Sequence, residues 1–323
     1  MSKTHESTTM VQNGTDNVRL DKRRGGAWNY LRRNYWLYVF AIPALIWLAI
    51  FCYAPMGGIV IAFKRYSGAY SIWESKWVGF RYFKSFFKSY YFEQVLVNTL
   101  RLSLYNLATF PLPIILALML NELRHEGIKR TVQTILYTPH FISTVVICSM
   151  ISLFFAQETG FVTRIIASLT GEAPKWLTSA KAFPHIYVWS SVWQELGWNC
   201  VIYVAALAGI DPTQHEAAAI DGANRLQRIW HINLPSIAPT IIITLILRVG
   251  QIMSLGTDKV LLLKNGLNQD TALTIGLFVY ERGMVSGDFG YATAVGLFTN
   301  VINLILVLSV NWISRKVSDT SLF

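Results

Sequence analysis

The amino-acid sequence predicts an all-α membrane protein with six transmembrane helices. Apolar residues make up 53% of the 323 residues and charged residues only 14%, whereas soluble proteins carry roughly 25% charged residues. The charges are clustered, and several uncharged stretches reach the roughly 20 residues that a helix needs to cross a hydrocarbon core of about 30 Å. These observations argue against two soluble domains, which the chain length alone would allow.

The six predicted spans follow the apolar stretches in chain order. They cover about residues 37–60, 102–121, 133–156, 184–207, 236–255 and 292–313. The fourth and fifth each contain one charged residue, Glu195 and Arg248. Pro43, Pro111 and Pro113 lie within predicted spans, where proline leaves backbone carbonyls without partners and bends the helix.

The orientation rests on the flank of the first span, because the overall Lys and Arg bias does not discriminate. Residues 1–34 form a polar, basic tail without an apolar run of signal-peptide type, so we expect the first span to act as an uncleaved insertion signal. Arg32 and Arg33 next to this span place the tail in the cytoplasm. Six spans return the C-terminus to the same side, and the polar loop 211–235 then also faces the cytoplasm.

The predicted outer segment 64–98 is aromatic and basic. Its part from Tyr82 to Leu96 has apolar residues at helical spacing, which predicts either an amphipathic helix at the membrane surface or a helix packed against neighbouring spans. The net charge of +10 comes without an aromatic-basic motif, so we expect anionic lipid rather than nucleic acid as the partner. Cys52, Cys148 and Cys200 fall inside apolar stretches without metal-ligand spacing.

The loop 211–235 carries the local signals of a capped helix. Asp211 can cap its N-terminus, Pro212 suits the first helical position, and Gln214 lies three residues after the cap. Gly222 suits a left-handed C-terminal position, a second helical stretch covers 223–230, and Pro235 opens the fifth span. From these features alone, the loop is an ordinary interfacial loop.

The spacing of this loop resembles the signature loop of permease subunits in binding-protein-dependent ABC importers. The matching pattern is Glu-Ala-Ala at 216–218, three residues, Gly222, nine residues, Ile232, one residue, and Leu-Pro at 234–235. The stretches 33–67, 138–146 and 287–316 are similar to carbohydrate-type permeases, in the branch that imports oligosaccharides and polysaccharides such as alginate. The resemblance therefore covers nearly the whole chain after about residue 30.

The resemblance implies a transport subunit in the bacterial cytoplasmic membrane, with residues 35–323 as the permease domain. In that family, a cytoplasmic coupling helix between spans four and five docks onto an ABC ATPase dimer. The partners would be that dimer, a second and commonly non-identical permease, and an extracytoplasmic solute-binding protein. The chain contains no G-x-x-x-x-G-K-[ST] motif, so no cofactor is expected in it, and the partner ATPase would bind ATP and Mg. The implied coupling residues are Glu216, Ala217, Ala218, Asp221, Gly222, Ile232, Leu234 and Pro235.

Polar side chains within spans four, five and six are candidates for a wet sugar pathway. Such groups are costly in lipid and usually face a cavity or the bundle interior; hydrogen bonding between helices is the alternative. We also expect Glu195 and Arg248 to lie at similar depth and to form an ion pair. Alternatively, Arg248 meets an acidic, alginate-like substrate directly, which the basic outer segment would suit. The candidate residues are Gln194, Glu195, Trp198, Asn199, Arg248, Gln251, Asn300 and Asn303.

Two other function classes compete with the importer. A secondary sugar transporter driven by an ion gradient would need no ATPase, and the pattern at 216–235 would then be accidental. A membrane-embedded glycosyltransferase would need acidic residues clustered at one membrane interface, and no such cluster is visible in the sequence.

Overall fold

The computed structural model describes residues 34–68 and 70–317, and the regular elements within these ranges are helical. The predicted tail at 1–34 lies outside them, apart from Asn34. The chain divides into two compact units at Gly57 and Gly58. The helices are α1 (Tyr35–Leu48), α2 (Ala54–Met56), α3 (Arg81–Phe87), α4 (Tyr91–Ala108), α5 (Pro111–Asn121), α6 (Glu126–Tyr137), α7 (Thr144–Phe154), α8 (Phe161–Thr170), α9 (Phe183–Ala208), α10 (Pro212–Ile220), α11 (Arg225–Arg228), α12 (Leu234–Val249), α13 (Thr257–Leu263), α14 (Gln269–Ala272), α15 (Ile275–Tyr280) and α16 (Phe289–Val317).

Within the described ranges, four helical runs are long and apolar enough to cross a membrane. They are Tyr35–Phe63, Tyr91–Asn121, Arg225–Val249 and Phe289–Lys316. A fifth crossing results if the bent pair Glu126–Phe141 and Thr144–Phe154 is one span. Helix α9 has 26 residues, about 39 Å at 1.5 Å per residue, but it is more polar. The all-helical membrane fold is confirmed, while the count of six spans stays a prediction.

Two of the spans contain a wide π-helical turn that ends two residues before a proline. The turn Ala49–Tyr53 precedes Pro55, and the turn Ile229–Asn233 precedes Pro235. Proline has no N–H to donate, so a regular α-helical turn cannot be completed there, and a π turn lets the helix continue. The fifth span consequently begins at Arg225, well before its predicted start at 236.

The second span also begins earlier than predicted, at Tyr91 instead of 102. The single helix predicted over Tyr82–Leu96 is wrong, because α3 ends at Phe87 and α4 begins after a turn. In that turn the Ser89 Oγ accepts a hydrogen bond from the Tyr91 N–H, at 3.2 Å. Phe86 on α3 is fully buried against aromatic rings of α4 and α16, so packing accounts for the apolar face of α3.

The third predicted span, 133–156, is not one straight helix. Helices α6 and α7 meet at an angle of 96° across the turn Thr138–Phe141. Pro139 ends the α-helical hydrogen bonding, and Ser143 starts α7 by accepting a hydrogen bond from the Val146 N–H at 3.4 Å. We call residues 138–143 the bend.

Helix α9 is the central element of the second unit. It packs against α4, α5, α6 and α12 and contributes to both clusters of buried apolar side chains. Tyr187 belongs to the cluster around Phe86, while Cys200 and Tyr203 belong to the cluster around Ile237. The polar middle of α9 lies between these clusters and is therefore held in place from both ends.

Candidate functional site

A cavity of about 530 Å³ lies beside the polar middle of α9. Its walls come from α9, the end of α4, the start of α5 and the last two turns of α12. The lining combines aromatic, amide, hydroxyl and charged groups with apolar side chains. The polar and aromatic lining residues include Asn106, Thr109, Phe110, Ser191, Glu195, Trp198, Asn199, Tyr203, Thr244, Arg248 and Gln251.

Five of the eight candidate pathway residues line this cavity together: Glu195, Trp198, Asn199, Arg248 and Gln251. Three of them lie on α9, while Arg248 and Gln251 lie at the end of α12 and just after it, beyond the 211–235 loop. Trp198 is 45% exposed, so part of its ring is free to meet a ligand. The assignment of these residues to a substrate pathway stays a prediction.

The other three candidates lie elsewhere. Gln194 is buried and its Nε2 donates to the Ile142 carbonyl oxygen at 3.1 Å. The Asn303 Oδ1 accepts from the Met253 N–H at 3.1 Å. For these two, hydrogen bonding between elements is what the structure shows. Asn300 lines a separate cavity of about 570 Å³ beside α16.

The predicted ion pair between Glu195 and Arg248 is wrong. The Glu195 Oε2 lies 2.9 Å from His140 Nδ1, and the Arg248 Nη2 donates to the Asn106 Oδ1 at 3.0 Å. The bend places His140 against α9, where its ring stacks on Trp198 with 4.4 Å between ring centroids. The Glu195 carboxylate is therefore paired with a residue of the bend and not with Arg248.

Gly197 allows the close contact between α9 and α6. A Cβ atom there would lie 2.0 Å from the Leu136 carbonyl oxygen and 2.5 Å from its carbonyl carbon. Only glycine fits this approach of two backbones without a shift. Together with the hydrogen bonds of Gln194 and Glu195, the contact fixes the bend to one wall of the cavity.

Lys259 is a charged residue near the cavity that the sequence reading did not single out. It lies in α13, between the fifth and sixth spans, and is only 6% exposed. Its Nζ donates to the Ser191 Oγ at 2.9 Å. Burial away from water lowers the pKa of the Lys259 ammonium to about 8. Helical spacing could have indicated that Lys259 is buried, because the apolar residue Leu263 lies four residues later and therefore on the same face of α13.

The loop 211–235 folds as the sequence predicts at both ends of α10. The Asp211 Oδ1 accepts from the Thr213 N–H at 3.0 Å, and this hydrogen bond lowers the pKa of the Asp211 carboxyl. Gly222 has a φ of +78°, in the left-handed region that glycine tolerates. The reciprocal capping pair expected at Gln214 is observed instead between Asn224 and Gln227.

The same loop exposes apolar side chains beside a surface groove. Ile220 is 87% exposed, and Leu226 and Trp230 are also exposed. Among the predicted coupling residues, Glu216, Ala217 and Pro235 are exposed, while Leu234 packs against the core. The groove has a volume of about 310 Å³ and is lined by Ala218, Asp221, Gly222, Ala223, Gln227, Arg228, His231 and Ile232.

Residues 109–319 match the family described as binding-protein-dependent transport system inner membrane component. Since the match covers more than half of the chain, the protein belongs to this family. It is a multi-pass membrane permease and a transport component. The class predicted from the loop pattern is thereby confirmed, and the ion-coupled transporter and the glycosyltransferase are set aside.

Similar proteins place the chain within this class more closely. It is 46% identical to Protein LplB of Bacillus subtilis (strain 168) over 294 residues, which are 91% of this chain and 92% of that protein. It is 38% identical to the polygalacturonan/rhamnogalacturonan transport system permease protein YteP of the same organism, over 94% of each chain. A chain in the crystal structure of a bacterial alginate ABC transporter with an alginate-bound periplasmic protein matches with a TM-score of 0.85, at 37% identity, covering 92% of this chain and 99% of that chain.

Proposed function

We propose that this chain is one permease subunit of an ATP-driven importer of oligosaccharides or polysaccharides. The observation that carries the proposal is the connection between loop and cavity. The loop 211–235 directly joins α9 and α12, and these two helices supply most of the cavity lining. A partner that moves the loop would therefore move two walls of the cavity at once.

The cavity has the chemistry that a sugar needs. Trp198 offers an aromatic surface for stacking on a sugar ring, and Asn199 and Gln251 offer amides for hydroxyl groups. Arg248, whose observed partner is the neutral amide of Asn106, offers a positive charge. This charge favours acidic sugars, and a similar solved structure is described as importing the acidic polysaccharide alginate.

The loop is the docking site for a cytoplasmic ABC ATPase dimer in this proposal. A short capped helix with small side chains (Ala217, Ala218) permits close approach of a partner, and exposed apolar residues such as Ile220 and Trp230 supply area to bury. ATP and Mg are bound by the ATPase. Closure of the dimer shifts α10, and α9 and α12 rotate between inward-facing and outward-facing states.

The complete importer contains two further components. A second, non-identical permease forms the other half of the pathway, and an extracytoplasmic binding protein delivers the sugar. The importer lies in the bacterial cytoplasmic membrane, with the N-terminal tail, the loop 211–235 and the C-terminus inside.

The test is co-purification with the products of neighbouring genes. An affinity-tagged wild-type chain should retain an ATPase whose ATP hydrolysis is stimulated by the sugar. Glu216→Lys should lose the ATPase, because it reverses a charge on the docking helix. Glu158→Lys, which reverses an exposed charge on the predicted outer side, is the matched control and should retain it. Normal transport and hydrolysis by Glu216→Lys would contradict this role of the loop.

A further inference from the structure

Lys259 places a buried positive charge directly behind the cavity wall. Its Nζ contacts the Ser191 Oγ at 2.9 Å, and Ser191 lines the cavity. The ammonium also lies 5.8 Å from the centroid of the Tyr187 ring. The Ser191 side chain therefore contacts the ammonium and also lines the cavity.

The direct contacts of this charge in the described part of the chain are with neutral groups, the Ser191 hydroxyl and the Tyr187 ring. No carboxylate oxygen of residues 34–68 and 70–317 lies within 4 Å of the Lys259 Nζ. Arg248 likewise bonds to a neutral amide, that of Asn106. Two cations therefore border the cavity. Its one carboxylate, on Glu195, is hydrogen-bonded to His140 in the bend. Burial lowers the pKa of Lys259, and the Glu195 carboxylate offsets this only in part, from beyond hydrogen-bond distance.

A buried ammonium with neutral partners costs free energy in the empty cavity. An apolar side chain of similar length would fill the same space without that cost. An anion bound to the Ser191 hydroxyl in the cavity would offset this cost. The anion and the Lys259 ammonium would attract each other across one hydroxyl group, in a site with little water.

We propose that Lys259 is a specificity-determining residue, which together with Arg248 makes the cavity a subsite for the carboxylate of an acidic sugar. The Ser191 hydroxyl now donates to the Tyr187 carbonyl oxygen at 2.8 Å. When a carboxylate binds, the hydroxyl rotates to donate to it and continues to accept from Lys259. The inference rests on the proposed function, since it names the substrate class of the same cavity.

The expected effect is large enough to measure. A carboxylate about 2.7 Å from the Ser191 Oγ lies within about 6 Å of the ammonium, as the Nζ–Oγ distance is 2.9 Å. At that separation, a partly buried pair of opposite charges changes affinity by about tenfold to a hundredfold. Lys259→Met removes the charge and keeps most of the volume, and Lys259→Arg keeps the charge.

The experiment measures equilibrium binding to the importer in lipid nanodiscs without its binding protein, so that only the permease discriminates. The probes are trigalacturonate and its methyl ester, which share a sugar chain but differ in charge. The wild type should bind the acid at least tenfold more tightly than the ester. Lys259→Met should lose most of that preference, Lys259→Arg should keep most of it, and Lys175→Met, which removes an exposed charge, should keep all of it.

The proposal is overturned if the wild type binds acid and ester alike or binds neither, or if Lys259→Met weakens both equally. If Lys259→Met yields no folded complex, the preference for the acid over the ester is measured in Lys259→Arg and in Ser191→Ala, and these two variants test the proposal. Ser191→Ala should also reduce the preference for the acid. An unchanged preference in this variant refutes the proposal that the Ser191 hydroxyl links Lys259 to the bound carboxylate. Uptake that depends on ATP and on the loop 211–235 would leave the proposed function standing in each of these cases.

Discussion

Replacing Gly197 by alanine should separate α9 from the bend. The added Cβ would lie 2.0 Å from the Leu136 carbonyl oxygen, whereas unstrained contacts are about 3.5 Å. The two backbones must therefore move apart by about 1 Å or more. Overpacking of this kind costs about 1–3 kcal/mol. The hydrogen bonds of Gln194 to Ile142 and of Glu195 to His140 would be stretched, at about 1 kcal/mol each, for a total of roughly 3–5 kcal/mol.

The assay is thermal unfolding of the purified permease in detergent, followed by intrinsic fluorescence. A chain of this size does not have to unfold in two states, so each variant's unfolding midpoint is compared with the wild type's. Gly127→Ala is the matched control, because Gly127 also lies in a helix of this contact, α6, and its Cβ would meet nothing within 4 Å. We expect Gly127→Ala to be neutral or slightly stabilising and Gly197→Ala to unfold several degrees lower. Equal midpoints for Gly197→Ala and the wild type, with normal transport, would refute the reasoning.

Three further predictions concern the loop and the cavity. Gly222→Ala should destabilise the loop by about 1 kcal/mol, because alanine disfavours the positive φ at this position, and it should reduce co-purification of the ATPase. The control Gly266→Ala, where an added Cβ meets nothing within 4 Å, should leave co-purification unchanged. The hydrogen bond from the Thr213 N–H lowers the pKa of the Asp211 carboxyl. The helix cap is therefore fully formed above the usual carboxyl pKa and is lost as the pH falls through the lowered pKa. We expect Asp211→Ala to make the loop as sensitive to protease at neutral pH as the wild-type loop is in strong acid. A double-mutant cycle of Asn106→Ala and Arg248→Met should show a coupling of about 1 kcal/mol in unfolding free energy, and additive effects would contradict the observed hydrogen bond.

The sequence located the membrane-crossing segments better than their ends. Uncharged stretches mark the part of a helix that lies in hydrocarbon, but the helix itself continues into the polar interface. The second span therefore begins at Tyr91 rather than 102, and the fifth at Arg225 rather than 236. Capping residues are local, which is why Asp211 and Gly222 could be assigned their backbone roles in advance.

The bend was not predicted, although its signals were visible. Pro139 and Ser143 are helix-ending and helix-starting residues, but they lie in a continuous apolar run, and apolarity alone does not distinguish one span from two helices at 96°. The partner of Glu195 could not be predicted for the same reason. Helical periodicity indicates the face on which a side chain lies, whereas the partner depends on how other helices are placed.

The bend therefore decides which groups pair with one another at the cavity. If the third span were straight, His140 would not reach α9, and Glu195 and Arg248, which line one cavity, would be free to neutralise each other. Because Glu195 is bonded to His140 instead, the direct hydrogen-bond partners of Arg248 and Lys259 are the neutral side chains of Asn106 and Ser191. If Arg248 and Lys259 form the proposed subsite, the close contact at Gly197 would serve ligand preference as well as stability, since it keeps the Glu195 carboxylate from pairing with Arg248.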